Sequence, residues 1–173
     1  MRPIALVTLL ALAAACSSTP GRATEGTAAP GSTGPLSANA TVLFVSDGDT
    51  IGVEIDGVEE RVRLIGIDTP ETKKPNTPVQ CFGPEATAFT EGLLPDGTPL
   101  YIERDVEARD QYGRLLAYVY RAGDGMFVNL QIIAQGYARP LTIPPNVAHA
   151  DEFVAAARQA EATDVGLWAG CSG

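Results

Sequence analysis

Residues 63–72 read Arg63-Leu64-Ile65-Gly66-Ile67-Asp68-Thr69-Pro70-Glu71-Thr72, or RLIGIDTPET. The stretch begins as a buried strand and stops on two carboxylates around a proline. A Gly-containing turn would suffice to end a strand, so the two acids ask for another reason. A second acidic turn, Asp47-Gly48-Asp49-Thr50, lies just upstream. Each motif alone is ordinary, because Asp and Gly suit turns and a strand-end Asp or Thr can cap its own backbone. Combined with Arg63, Arg114 and the basic pair Lys73-Lys74, they form a set that turn chemistry does not explain.

Working outward, Thr41–Val45, Thr50–Ile55 and Val58–Ile67 are β-rich runs. Asp56-Gly57 between the last two is a strong hairpin signal. Thr69 to Gln80, with Pro70, Pro75 and Pro78, predicts an irregular, mobile loop. Pro84-Glu85 opens a helical pattern through Ala88, Phe89 and Leu93, with proline where its missing N–H costs nothing. Leu100–Val106 and Leu115–Tyr120 read as two more strands. Val128–Gln135 predicts a second helix stopped by Gly136. A third runs from about Ala148 to Glu161, with Phe153, Val154 and Ala157 at helical spacing. Five strands with helices interposed and appended predict an α+β domain built on a small Greek-key barrel rather than a βαβ array.

Residues 1–16, MRPIALVTLLALAAAC, have a charged start, a short apolar run and then small residues. That is a bacterial secretory signal, too short to span a bilayer as a permanent helix. It resembles a lipoprotein signal in which Cys16, the one side chain able to form a thioether, takes the lipid. Ordinary cleavage after Ala13-Ala14-Ala15 is the alternative. Residues 17–39 are rich in Ser, Thr, Gly, Pro and Ala and bury too little to offset their ordering entropy, so they read as a flexible tether. Residues 40–173 are a normal single-domain length. Cys81 and Cys171 remain, and outside the cytoplasm such a pair is expected as a disulfide, with two free thiols the alternative. From Ala40 onward ten basic residues stand against twenty acidic ones, a balance that on its face argues against a polyanionic partner.

The segments Asp47-Gly48-Asp49-Thr50, Arg63-Leu64 through Asp68-Thr69-Pro70-Glu71-Thr72-Lys73, Gly83-Pro84-Glu85-Ala86, and Tyr112-Gly113-Arg114 through Ala117-Tyr118 resemble the staphylococcal nuclease (thermonuclease) family. Their order and spacing match across nearly all of residues 41–168, ending at Gly166-Leu167-Trp168. The resemblance implies a five-stranded OB-fold-type β-barrel with three helices. It implies Ca²⁺ as cofactor, held by Asp49, Asp68 and the backbone carbonyl of Thr69, with Asp47 a more distant helper. Glu71 would orient or deprotonate the attacking water, and Arg63 and Arg114 would grip the scissile phosphate. Lys73, Lys74 and Tyr112 are candidate substrate contacts. The expected product is an exported nuclease acting on DNA and/or RNA, monomeric, secreted or held at the outer face of the cell membrane through a lipid at Cys16.

The residue chemistry fits these roles on its own terms. Ca²⁺ is a hard ion that takes several oxygen ligands. Arginine's planar fork can donate two hydrogen bonds to a phosphate, a geometry lysine cannot match. A base must sit near but not on the metal, which suits Glu71 on a proline-stiffened loop. The single histidine, His149, removes ribonuclease chemistry that needs a histidine pair; a helix-end role suits it. Gly48 and Gly52 make no phosphate-binding loop, since the required Lys and following helix are missing. Trp168 is expected to plug the core at the C-terminus. Two departures from the family stand out: Leu141-Thr142-Ile143-Pro144 occupies a segment where the archetype has tyrosines flanking the nucleotide, and this domain is acidic where the archetype is basic. A non-catalytic OB barrel binding nucleic acid or protein is the rival class, and a Ca²⁺-buffering surface domain a weaker one.

Overall fold

Asp56 and Gly57 both take positive φ, 51° and 78°, the conformation a two-residue hairpin turn requires. They join β2 (Thr50–Ile55) to β3 (Val58–Leu64) in an antiparallel ladder running from Ile55 opposite Val58 to Thr50 opposite Arg63. The computed structural model describes residues 34–73 and 78–171. The signal expected over residues 1–16 with Cys16, most of the tether, and Lys74 lie outside the described residues.

β1 (Ala40–Asp47) pairs antiparallel with β2 through Asp47 opposite Thr50, so Gly48-Asp49 forms the tip of that hairpin. β1 also pairs with β5 (Pro99–Glu103), and β5 with β6 (Leu115–Arg121). β6 then pairs parallel with β3, Arg63 opposite Leu116, and closes a five-stranded barrel. Closure removes the exposed edges that an open sheet would present. The expected barrel is present, with additions: β7 (Met126–Phe127) extends β6, and a separate two-stranded ladder joins β4 (Gly66–Asp68) to β8 (Arg139–Leu141).

One predicted element divides. The run expected as a single strand over Val58–Ile67 breaks after Leu64, because Gly66 adopts φ 81°. An added Cβ there would come within 2.1 Å of the Phe153 ring. Only glycine meets both demands without strain, and the turn carries Asp68 out of the barrel toward β8.

The helices are α1 (Gly83–Leu93), α2 (Val128–Ala134), α3 (Ala150–Ala162) and a short α4 (Leu167–Gly170). α2 stops as predicted, Gly136 taking φ 74°. Ile51, Val53, Val62, Leu64 and Leu100 from the barrel pack with Val128, Ile132, Ile133 and Phe153 from the helices in one core. Each such side chain contributes about 1.5–3 kcal/mol on burial. The helix predicted from Pro84-Glu85 is α1: Gly83, Ala86 and Thr90 are buried, Phe89 and Leu93 pack half-buried against the core, and Ala88 is exposed. Phe89 also stacks on Tyr137 at 4.0 Å between centroids. Trp168 is likewise half-buried, not the plug; Leu167 fills that place, and Trp168 lies under the Arg139 guanidinium at 4.4 Å.

Buried Asn129, which nothing in the sequence marks, satisfies backbone groups where β3 and β6 diverge. Its side chain donates to the Ile65 carbonyl at 2.9 Å and accepts the Val119 N–H at 2.9 Å. Without such partners those buried groups would each cost about 1–3 kcal/mol. The expected disulfide is formed: Cys81 and Cys171 are bonded, tying the entrance of α1 to the chain end.

Candidate active site

The acidic turn and the strand end meet because of register. Thr50 stands opposite Arg63 in the β2–β3 ladder, and the Leu64 N–H donates to the Asp49 carbonyl at 2.9 Å. Thr90 of α1 braces the turn from behind, its hydroxyl donating to the Gly48 carbonyl at 2.8 Å. Asp49 is buried and accepts two bonds at Oδ2, from the Thr69 N–H at 2.9 Å and the Thr69 hydroxyl at 3.0 Å.

Arg63 spans the two aspartates. Its Nη2 lies 3.1 Å from Asp49 Oδ2 and 3.3 Å from Asp68 Oδ1, while Nη1 donates to the Leu64 carbonyl at 2.6 Å. The Arg63 and Asp49 side chains are 13% and 10% exposed and that of Asp68 is 59% exposed, so one wall of the site is fixed and the other faces solvent. Arg114 reaches it from the β6 side. Asp110 orients it, accepting from its backbone N–H at 2.9 Å and from Nε at 2.7 Å, which leaves Nη1 3.5 Å from the Thr50 hydroxyl. Burial raises the Asp110 carboxyl, but these bonds from Arg114, with one from the Tyr112 N–H, outweigh it and hold the group below its ordinary value.

A cavity of about 290 Å³ opens between these groups, lined by Asp47, Asp49, Asp68, Glu71, Arg63 and Arg114, together with Thr50, Thr69, Pro70 and Gln80. Glu71 Oε1 accepts the Thr72 and Lys73 N–H groups at 2.9 and 2.8 Å. Four carboxylates thus face two guanidiniums. Burial, and next the negative charge of Asp49, push the Asp47 carboxyl above its ordinary value. All the donors are oxygens, the chemistry a hard divalent cation takes. Among the described residues no three His, Cys, Asp or Glu side chains converge on one point, so an ion here would draw on a backbone carbonyl, water or substrate oxygens as well. At Thr69 the engaged groups are the N–H and the hydroxyl.

The remaining candidates lie outside this cavity. Lys73 is exposed and contributes its N–H to Glu71. Tyr112 is 76% exposed, with Arg114 over its ring at 5.6 Å. It lines an adjoining groove of about 390 Å³ together with Leu141 and Ile143. His149 sits at the start of α3, 3.0 Å from Glu152 and against Tyr118 and Phe127, a helix-end role as expected. Sequence reasoning missed Thr50, Thr90, Asp110 and Gln80. An Asp four residues before Arg114, within a Gly-containing turn, is the one local signal that could have found any of them.

A profile of the family of staphylococcal nuclease homologues matches residues 61–170. The thermonuclease of Staphylococcus intermedius is 46% identical over 127 residues, 73% of this chain and 74% of the relative. That of Staphylococcus hyicus is 42% identical over 127 residues, 73% of each. Endonuclease YncB of Bacillus subtilis (strain 168) is 39% identical over 132 residues, 75% of this chain and 61% of the relative.

Proposed function

This chain belongs to the staphylococcal nuclease family, and on that premise we propose that it is a Ca²⁺-dependent nuclease hydrolysing phosphodiester bonds of DNA and/or RNA. The observation that carries the proposal is the gathering of Asp49, Asp68, Glu71, Arg63 and Arg114 around one cavity. Ca²⁺ held by Asp49, Asp68 and the Thr69 carbonyl, with Asp47 further out, would supply the positive charge that four carboxylates lack and draw in a phosphate oxygen.

Glu71 takes the proton of the attacking water as the new P–O bond forms and the ester P–O bond breaks. Arg63 and Arg114, both lining the cavity, donate to the equatorial oxygens as charge builds on them. Contacts that strengthen during the reaction lower the barrier instead of only tightening binding. Asp110 keeps the Arg114 fork aimed at the cavity. Lys73 and Tyr112 contact the substrate beyond the cleaved bond, and Lys74 has the same assignment. Two features weaken substrate capture. Aliphatic Leu141 and Ile143 offer less stacking than aromatic rings, about 1–3 kcal/mol per lost contact, and the acidic domain gives poor long-range attraction.

Export belongs to the same proposal: the Cys81–Cys171 disulfide suits an oxidising compartment, and Cys16 would carry the lipid that holds a monomer at the outer face of the membrane. Digesting DNA and RNA with Ca²⁺ and with excess chelator, using wild type and Glu71→Gln, tests the activity. Cleavage is expected only with Ca²⁺, and slower by about 10²-fold or more in Glu71→Gln. Full cleavage in chelator would remove the metal, and DNA that is retarded but intact with Ca²⁺ would favour a binding module.

A further inference from the structure

Glu71 and Gln80 hold each other across the base of the loop between them. The Glu71 N–H donates to Gln80 Oε1 at 2.9 Å, and the Gln80 N–H donates to the Glu71 carbonyl at 2.9 Å. One bond links the two backbones and the other brings the Gln80 side chain back onto the Glu71 backbone, so Glu71 is held at both its N–H and its carbonyl. The Glu71 carboxylate is in turn tied to its own turn through the Thr72 and Lys73 N–H groups, so its location follows that of its backbone. Gln80 also lines the acidic cavity.

Gln80 has a firm footing. Its carbonyl accepts the Gly83 N–H at 3.1 Å at the entrance to α1. The next residue, Cys81, is bonded to Cys171. Phe82 packs so closely on Gly170 that an added Cβ there would lie 2.8 Å from its ring. α4 is itself fastened to the end of α2, the Leu167 N–H donating to the Gly136 carbonyl at 2.8 Å. A continuous support therefore runs from the core through the disulfide to Gln80 and on to Glu71.

We propose that Gln80 is a positioning residue for Glu71 and that the Cys81–Cys171 disulfide holds Gln80 in that task. The proposal rests on Glu71 acting as the base. A base works only within hydrogen-bond reach of its proton, and a misplacement of about 1 Å costs on the order of 10²-fold in rate. The pair is therefore a lever on turnover and not on substrate affinity.

The test uses the full chain with Gln80→Met, of similar length but no oxygen acceptor, and Gln80→Glu, which keeps one. Each is made in wild type and in Glu71→Gln, with kcat and KM measured on double-stranded DNA with Ca²⁺. Exchange of the Glu71 amide is followed without added Ca²⁺. Gln80→Met is expected to lower kcat roughly 10- to 100-fold with KM within about twofold, and to speed Glu71 amide exchange about tenfold. Gln80→Glu restores both, and Gln80→Met adds no loss in the Glu71→Gln background. Breaking the disulfide, by Cys81→Ser with Cys171→Ser, moves kcat and amide exchange the same way. Dithiothreitol does likewise, its two thiols closing to a cyclic disulfide as the protein's bond becomes two thiols. Wild-type kcat in Gln80→Met overturns the positioning role. So does an equal further loss in the Glu71→Gln background, which would mean Gln80 acts elsewhere. A disulfide-free chain with unchanged kcat and amide exchange overturns the second half alone. Wild-type cleavage by Glu71→Gln overturns the base itself, and this inference with it.

Discussion

Asp49 and Thr69, twenty positions apart, are joined twice: Asp49 Oδ2 accepts the Thr69 N–H at 2.9 Å and the Thr69 hydroxyl at 3.0 Å. That carboxylate is also 3.1 Å from Arg63, so one buried group links the acidic turn, the strand end and a guanidinium. Asp49→Ala leaves the Thr69 donors unpaired in a buried place and removes a partner of Arg63. It is expected to cost about 2–4 kcal/mol, and to abolish any rise in Tm on adding Ca²⁺. Thermal melts with and without Ca²⁺ check both outcomes; an unchanged Ca²⁺ response would take Asp49 out of the metal site.

Arg63→Lys and Arg114→Lys keep the charge but lose the planar fork. Each is expected to lower kcat about 10²-fold, or some 2.7 kcal/mol in barrier. The fold should survive in both, since each arginine lies at the cavity wall and not in the core. Steady-state kinetics beside a melting curve separates the two effects, and near-normal turnover would remove that arginine from catalysis.

One hydrogen bond joins a carboxyl with a lowered pKa to a phenol with a raised one. Asp105 Oδ2 accepts the Tyr118 hydroxyl and the Ala148 N–H, both at 3.0 Å. The Ala148 N–H, and with it the Tyr118 hydroxyl, holds the Asp105 carboxyl below its ordinary value. Its contribution is therefore present above about pH 4 and is lost as pH falls through the depressed value. Burial, and then the bond to Asp105, push Tyr118 up to about 12; burial does the same for Tyr120. Their contribution is full below about pH 10 and lost as pH rises through about 12. Asp105→Asn should flatten the acid limb and Tyr118→Phe should shallow the alkaline one, both read from denaturant midpoints across pH. Superimposable profiles would show that the bond contributes to neither limb.

Gly66→Ala should be among the most damaging single changes. It forces a side chain into φ 81° and against the Phe153 ring, at a cost of about 3–5 kcal/mol. Urea unfolding would show a lower midpoint with little change in slope; a loss below about 1 kcal/mol would mean that Phe153 yields freely.

What was legible in the sequence was local. Asp56-Gly57 announced its hairpin, Gly136 its helix stop, and the β-rich runs Thr50–Ile55 and Val58–Ile67 the strands on either side of that hairpin. These follow from backbone preferences and from periods of two or 3.6, which a short window contains. The acidic turn, the strand-end acids and the two arginines were also visible as residues of the right chemistry at matching family spacing. The break after Leu64 was not, because a glycine inside an apolar run looks the same whether the strand continues or turns.

Tertiary structure alone decided that Arg63 bridges Asp49 and Asp68, that Thr90 braces Gly48, that Asn129 satisfies the diverging strands, and that Gln80 grips Glu71. Arg63–Asp49, Thr90–Gly48 and Asn129–Ile65 join residues distant along the chain, while Arg63–Asp68 and Glu71–Gln80 are near in sequence but have no period to reveal them. The long-range contacts depend on β3 lying beside β6 and on α1 packing against the first hairpin, which no short window shows. The chain by itself determined which chemical groups are present; barrel closure determined that they share one cavity, because only there does burying the common core force the turn, the strand end and the helix entrance together.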